Sequence, residues 1–404
     1  MPFLNQLASD NESSLVSAFY DRHPYPDETL KDEPPQGFNW RWSFNDVYSF
    51  CTGALPFKYS SSGIKKILDA GCGSGVSTDY LAYLNPGSQI LAVDISNVAL
   101  KVAIERLRRS GGDKQVSLRF ENRSLFDLKG EGPFDYINSV GVLHHLQDPL
   151  SGLNELGSLL KEGGILHLFL YAEGGRSEIT HVRKALKTLG VLDTEFGLQL
   201  ARDLIRNLPP NNSLRRNYEE RWAFECTSDV NFADMYLHPR EMTFNLHRLW
   251  ELIDNSDLEF IGFSNPNVWS LERFLNGELL KRAKILPKLQ QLHLVENLDQ
   301  DISHFEFFLS KGELPKYEWK NDNDLLATTG VVSRRILGWP STTTFYDSEM
   351  NRLEINDDCL QLLKAIKNHP GKPMNFLPLN WDKSLTASIA RDLQKRQLLL
   401  LYPI

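Results

Sequence analysis

The segment ILDAGCGSG, residues 67–75, constrains this 404-residue chain more than any other. A short apolar run ends in an acid, Asp69, and is followed by glycines at alternate positions, Gly71, Gly73 and Gly75. Glycine there gives a strand-to-helix turn free access to positive φ and lets the backbone approach a ligand or another chain segment without a Cβ between. A dinucleotide-binding turn needs G-x-G-x-x-G, and counting from Gly71 the third glycine position holds Val76. The register for a pyrophosphate therefore fails. Around this turn, short apolar runs alternate with helix-period segments, the pattern of βαβ units and a parallel sheet. Strands are expected at 64–70, 89–94, 117–122, 134–140 and 165–172, with helices between them, and two late strands at 258–263 and 304–310.

Acids recur at the ends of these strands. ILAVDIS puts Asp94, followed by Ile95 and Ser96, at the second strand's edge, where a carboxylate can accept hydrogen bonds from both hydroxyls of a ribose. SLFDL puts Leu125 and Asp127 after the third. The spacing D-x-G-x-G-x-G, with FDYINSVGVLHHLQDP (134–149) and LLKEGGIL (159–166), resembles motifs I, IV and V of the class I, Rossmann-like S-adenosylmethionine-dependent methyltransferases. The resemblance is close over 64–172 and reaches about 310. It implies an α/β fold with a seven-stranded sheet of order 3-2-1-4-5-7-6 and S-adenosylmethionine as cofactor. The turn Asp69, Ala70, Gly71, Cys72, Gly73 and Gly75 would pack under the methionine part, Asp94, Ile95 and Ser96 would meet the ribose, and Leu125 and Asp127 the adenine. Asn138 and Ser139 would lie near the sulfonium, with His144 and His145 at the mouth of the acceptor pocket.

The flanks resemble a bacterial group of these enzymes, some fused to tetratricopeptide repeats and with mostly unassigned acceptors. The resemblance rests on an N-terminal FYDRHPYP, on LYAEGGRSEITHVRKAL after the fifth strand and on ADMYLHPREMTFNLHRLWELI. It implies that the element of Tyr20, Tyr25 and Pro26 folds over the cofactor, and Tyr20, Tyr25, Tyr171 and His238 are the candidates to border the acceptor. For HPYP the plainer reading is a rigid turn in a hydrophobic seam, and for His238-Pro239 a turn leading into a helix. The chain then divides into an aromatic-rich helical cap (1–63), the methyltransferase domain (64–312) with a helical insertion (175–255) over the active site, and an accessory module (313–404). The stretch KGELPKYEWKNDND reads as a linker. The module after it, with helical runs at 359–369 and 384–401, reads as a small α/β or winged-helix-like unit. It resembles faintly the regulatory domains of some bacterial protein-lysine methyltransferases; a capping or homodimerising module is the alternative.

Methyl transfer is an in-line displacement, so holding donor and acceptor collinear is the main task. A hydroxyl or protonated amine must also lose a proton, for which a near-neutral histidine is the natural base. His145 is favoured slightly over His144; the alternative is that both merely pack. Enzymes that methylate exocyclic base amines or glutamine carry an Asn/Asp-Pro-Pro-aromatic run where this chain has Asn138-Ser139-Val140-Gly141. With 44 basic against 52 acidic residues, a net charge of −8 opposes nucleic acid and anionic lipid as partners. The four cysteines lie far apart, so no disulfide framework and no metal site is expected. The N-terminus lacks a signal-peptide pattern and no stretch approaches 18 apolar residues, which points to a cytoplasmic protein without a membrane anchor. A small-molecule acceptor is the first expectation. A protein lysine, a cofactor-binding regulator without catalysis and a nicotinamide dehydrogenase are the alternatives, the last resting on fold analogy alone.

Overall fold

The computed structural model describes residues 14–56, 64–340, 344–347 and 351–403; the reading of the first thirteen residues lies outside them. The chain forms two compact units. The first comprises the described residues of Met1–Glu33 together with Lys66–Asp79 and Gln89–Gly312. The second comprises those of Pro34–Lys65, Tyr80–Ser88 and Glu313–Ile404.

In the first unit, seven strands form one sheet: β1 (Lys66–Ala70), β2 (Gln89–Asp94), β3 (Ser117–Asn122), β4 (Phe134–Val140), β5 (Leu160–Tyr171), β6 (Glu259–Phe263) and β7 (His304–Ser310). Their order is β3-β2-β1-β4-β5-β7-β6, as the resemblance implies. The pairs β1–β2, β1–β4, β2–β3 and β4–β5 are parallel, whereas β7 runs antiparallel to both β5 and β6. Strand β5 starts five residues before its apolar run. The Gly163 N–H and the Gly164 carbonyl pair with the backbone of Lys311, which holds that stretch extended beside the end of β7.

Helix ends follow the local chemistry. Ser96 caps helix Asn97–Ser110 by accepting from the Ala99 N–H, and Asp148 caps Pro149–Leu159, with proline at the first helical position. The first follows the end of β2 after two residues, and the second follows β4 after the 3-10 turn Leu143–His145; both strands carry expected site residues. The core on this side joins Leu68, Leu91, Ile137, Leu166 and Phe307 from the strands to Leu153, Leu156, Leu249 and Val295 from covering helices. The insertion forms a helical cluster with its own core, Ile179, Val182, Ala201, Ile205 and Phe232, from helices Ser177–Thr188, Glu195–Asn207 and Asp229–Leu237.

In the second unit, helices Asp322–Ala327, Asp357–Asn368 and Lys383–Lys395 pack around Leu325, Leu362, Leu363, Leu393 and Leu399. Part of the expected linker is therefore helical. Strands β8 (Gly330–Val332) and β11 (Leu399–Leu401) pair antiparallel, as do β9 (Phe345–Tyr346) and β10 (Arg352–Leu353). The run expected as one helix over 384–401 stops at Lys395. Four consecutive leucines, 398–401, cannot share one helix face, but a strand buried on both sides takes them.

Candidate functional site

The glycine turn is shaped by the protein itself. The Gly71 and Cys72 N–H groups both donate to the Val93 carbonyl on β2, which folds the turn over the β2 end. A Cβ on Gly73 would stand 2.3 Å from the Tyr25 carbonyl oxygen, and one on Gly75 2.6 Å and 2.7 Å from Cβ and Cα of Ala103. Tyr25 belongs to an N-terminal segment, helix 14–22 and the residues after it, that is laced to this turn. The Ser74 N–H donates to the Tyr25 carbonyl (2.8 Å) and Ser74 Oγ to the Pro26 carbonyl (2.7 Å). Ser17 Oγ donates to the Ile95 carbonyl, and Asp21 accepts from Ser96 Oγ (2.7 Å) and the Val98 N–H.

The acids sit as strand ends dictate. Asp94 accepts from the Gly73 N–H through one oxygen and from the Ser96 N–H through the other, each at 2.8 Å. Burial pushes its carboxyl up to about 6 against those two donors. Each oxygen keeps a second lone pair, so the carboxylate can still accept from a diol. Asp69 is fully buried, held by Thr78 (2.6 Å), Ser77 (2.8 Å) and the Asn138 amide (2.7 Å). The neighbouring Ser139 Oγ is buried and finds no partner among the described residues. Leu125 and Asp127 occupy a short 3-10 turn; Leu125 is buried and Asp127 exposed, its backbone carbonyl bonded by Arg123. The donor set, an acid at the end of β2 beside a glycine turn and an orphaned hydroxyl by β4, fits a nucleoside with a polar tail.

The remaining expected residues gather around a histidine cluster. His144 and His145 lie on the 3-10 turn Leu143–His145 after β4. His144 stacks on Tyr171 (ring centroids 3.9 Å apart), and neither of its ring nitrogens finds a partner among the described residues. The rings of His145 and His238 are 4.0 Å apart, and Tyr20 lies against both. His238 ends helix Asp229–Leu237 rather than leading into one, and Asp234, four residues earlier, shares its side. Tyr20 Oη donates to Asp234 Oδ1 at 3.1 Å. Tyr25 instead is exposed at the turn and engages it through its backbone.

A single residue sets both histidines. His145 Nδ1 lies 2.7 Å from the Arg240 carbonyl, which can only accept, so Nδ1 carries the proton and Nε2 a lone pair. The Arg240 N–H donates to His238 Nδ1 at 3.1 Å, which leaves the proton of the neutral ring on Nε2, buried and unpartnered among the described residues. Burial pushes the imidazoliums of both rings, and of His144, below the usual range. His145, Asp234 and His238 bring potential ligand atoms within 4.8 Å of one another, the one such group among the described residues. The His238 tautomer argues against a cation, because Nδ1 is taken by an N–H and Nε2 by a proton.

Sequence reasoning did not single out Asp21, Asp234, Arg176, Glu241 or Arg240. Arg176 lies over the Tyr171 ring at 3.5 Å and makes a two-point contact with buried Glu241. All five lie in the three flanking segments that carry the resemblance, yet nothing in their spacing shows that the fold brings them together.

The family described as a methyltransferase domain matches residues 68–166. An uncharacterized protein of Synechococcus is 42% identical over 400 residues, 98% of this chain and 94% of its own length. A ubiquinone biosynthesis O-methyltransferase of Xanthomonas campestris is 38% identical over 105 residues, 26% of this chain and 41% of its own length. Among solved structures, PKMT2 from Rickettsia typhi in complex with AdoHcy superposes with a TM-score of 0.63 at 17% identity, over 92% of this chain and 77% of its own, a likeness of fold. Among the described residues no helix is long and apolar enough to cross a membrane.

Proposed function

We propose that this chain, which belongs to the class I, Rossmann-like S-adenosylmethionine-dependent methyltransferases, methylates a small molecule at O, N or C with His145 as the base. S-adenosylmethionine supplies an activated methyl on a sulfonium. Asp94 is suited to hold the ribose, and the Asp69–Gly75 turn and Ser139 to line the methionine end. The observation that carries the acceptor side is the Arg240 backbone, which leaves His145 with an Nε2 lone pair and His238 with a buried Nε2–H unpartnered among the described residues. A proton acceptor and a proton donor then stand side by side in a buried, polar, aromatic-walled cluster with Tyr20 and Tyr171. Sites of that make-up enclose modest ligands and orient them through a few polar groups. As the acceptor atom takes the methyl, its proton passes to His145 Nε2, while His238 Nε2–H anchors a neighbouring acceptor atom. Orientation of this kind contributes about 7–11 kcal/mol to such displacements.

The test uses the full-length chain, methyl-labelled cofactor and a cell extract. Label is expected in the small-molecule fraction; label confined to protein overturns this reading in favour of a polypeptide acceptor. The His145→Asn variant keeps an N–H for the Arg240 carbonyl but has no base. Its turnover is expected to fall roughly 10²–10⁴-fold while S-adenosylhomocysteine binding is unchanged.

A further inference from the structure

Strands buried on both faces read as nearly continuous apolar runs, yet one rank of side chains across this sheet is polar. Asp69 on β1, Asn138 on β4 and His167 on β5 are direct cross-strand neighbours, and all three are buried. Asn138 Nδ2 donates to Asp69 Oδ1 at 2.7 Å, and His167 Nδ1 lies 2.9 Å from Asn138 Oδ1. On the far side His167 Nε2 lies 3.1 Å from Glu306 Oε1 on β7, and Ser264, just past β6, donates to the other Glu306 oxygen. The rank therefore runs from the acid ahead of the glycine turn to the edge of the sheet.

The chemistry of each group fixes the direction of these bonds. An ionised Asp69 only accepts, so the amide nitrogen of Asn138 faces it and the amide oxygen faces His167. That oxygen also only accepts, so His167 Nδ1 carries a proton. One further proton lies between His167 Nε2 and Glu306, and either partner can own it without disturbing the rest.

We propose that His167 is a positioning residue for the cofactor site: its Nδ1–H holds the Asn138 amide in the orientation that keeps Asp69 ionised beside the Gly71–Gly75 turn. His167 touches neither donor nor acceptor and acts through Asn138. Without that N–H the Asn138 oxygen loses a buried hydrogen bond, a costly change. Turning the amide over relieves it but sets oxygen against the Asp69 carboxylate, whose proton affinity burial already raises. The carboxylate then takes a proton or moves, and the turn loses its anchor. Glu306 keeps the ring upright through Nε2.

The readout is calorimetric titration of the full-length chain with S-adenosylhomocysteine at pH 8, which involves no acceptor and is independent of the acceptor reading. His167→Leu is expected to bind roughly tenfold more weakly or worse. His167→Asn places a side-chain N–H where Nδ1 stood and is expected to restore affinity to within about threefold of the parent, even though its melting temperature stays lowered. A merely structural role would lower the melting temperature of both and separate neither from the parent in affinity. Parent-like binding by His167→Leu overturns the proposal, and so does equally weak binding by both variants. Should His167→Leu not fold, His167→Asp takes its place, presenting an acceptor where His167→Asn presents a donor. Asp weaker than Asn then supports the proposal, and equal affinities overturn it.

Discussion

Asp94 shows how one residue can be poised by its surroundings. Two backbone N–H groups favour its charged form, but burial outweighs them and pushes the carboxyl up to about 6. A diol donates to the carboxylate and not to the acid, so the protonated form loses affinity. The sign follows: affinity for S-adenosylhomocysteine is expected to be level above pH 7 and to fall as the pH drops through about 6, with Asp94→Ala binding neither at pH 8 nor at pH 5. Titrations across that range check it, and NAD under the same conditions is expected not to bind. A level profile down to pH 5 would remove Asp94 from the donor site. The histidine pair follows a related logic, in that the Arg240 N–H and C=O, not titration, decide which ring accepts and which donates.

At the scale of elements, the glycine turn matters because other segments come so close to it. Gly75 has φ +84, and a Cβ there would stand 2.7 Å from the Cα of Ala103, on helix Asn97–Ser110; one on Gly73 would meet the Tyr25 carbonyl. A side chain at Gly75 meets a rigid helix as well as an unfavourable φ. Gly75→Ala is therefore expected to cost roughly 2–5 kcal/mol from strain and overpacking together. The measurement is equilibrium unfolding of the two proteins; a loss below 1 kcal/mol would mean the helix yields freely. The same closeness ties the N-terminal segment to the turn, through Ser17, Asp21, Tyr25 and Pro26. The aromatic-proline element is thus part of the turn's environment through backbone carbonyls, which no side-chain pattern reveals.

At the scale of the molecule, the second unit draws on distant stretches of the chain. The Leu55 N–H donates to the Leu401 carbonyl and the Tyr317 N–H to the Thr52 carbonyl, both at 2.7 Å, and Gly53 packs against the Tyr317 backbone. Residues 40–55 and 313–403 therefore belong to one body. A chain cut after Gly312 is expected to leave Trp40, Phe44 and Val47, all buried here, facing water, and to associate. Size-exclusion chromatography checks this; a monodisperse truncated chain with a cooperative melt would show that 34–65 stands without its partner. For the same reason loss of activity on truncation would not by itself implicate the 313–404 module in choosing an acceptor.

The strand-and-acid skeleton was legible from residues alone. Runs bounded by turn residues placed all seven strands, three of the first four with bounds that match, because strands buried on both faces are largely apolar, while the edge strand β3 shows its Leu118 and Phe120 in alternation with polar residues. Asp69 and Asp94 could be read as a pair for the same reason, since each closes or nearly closes a strand and adjacent parallel strands end together. What only the tertiary structure decided is which residues meet across long separations. Arg240 reaches His145 from 95 positions away, Asp234 reaches Tyr20 from 214 and Glu306 reaches His167 from 139. Such contacts depend on how the insertion folds back and on strand order, and they leave no periodicity behind. The proposed donor site was therefore written locally, in one turn and two strand ends, while the tautomers and the buried polar rank depend on strands and loops that meet only in the folded sheet.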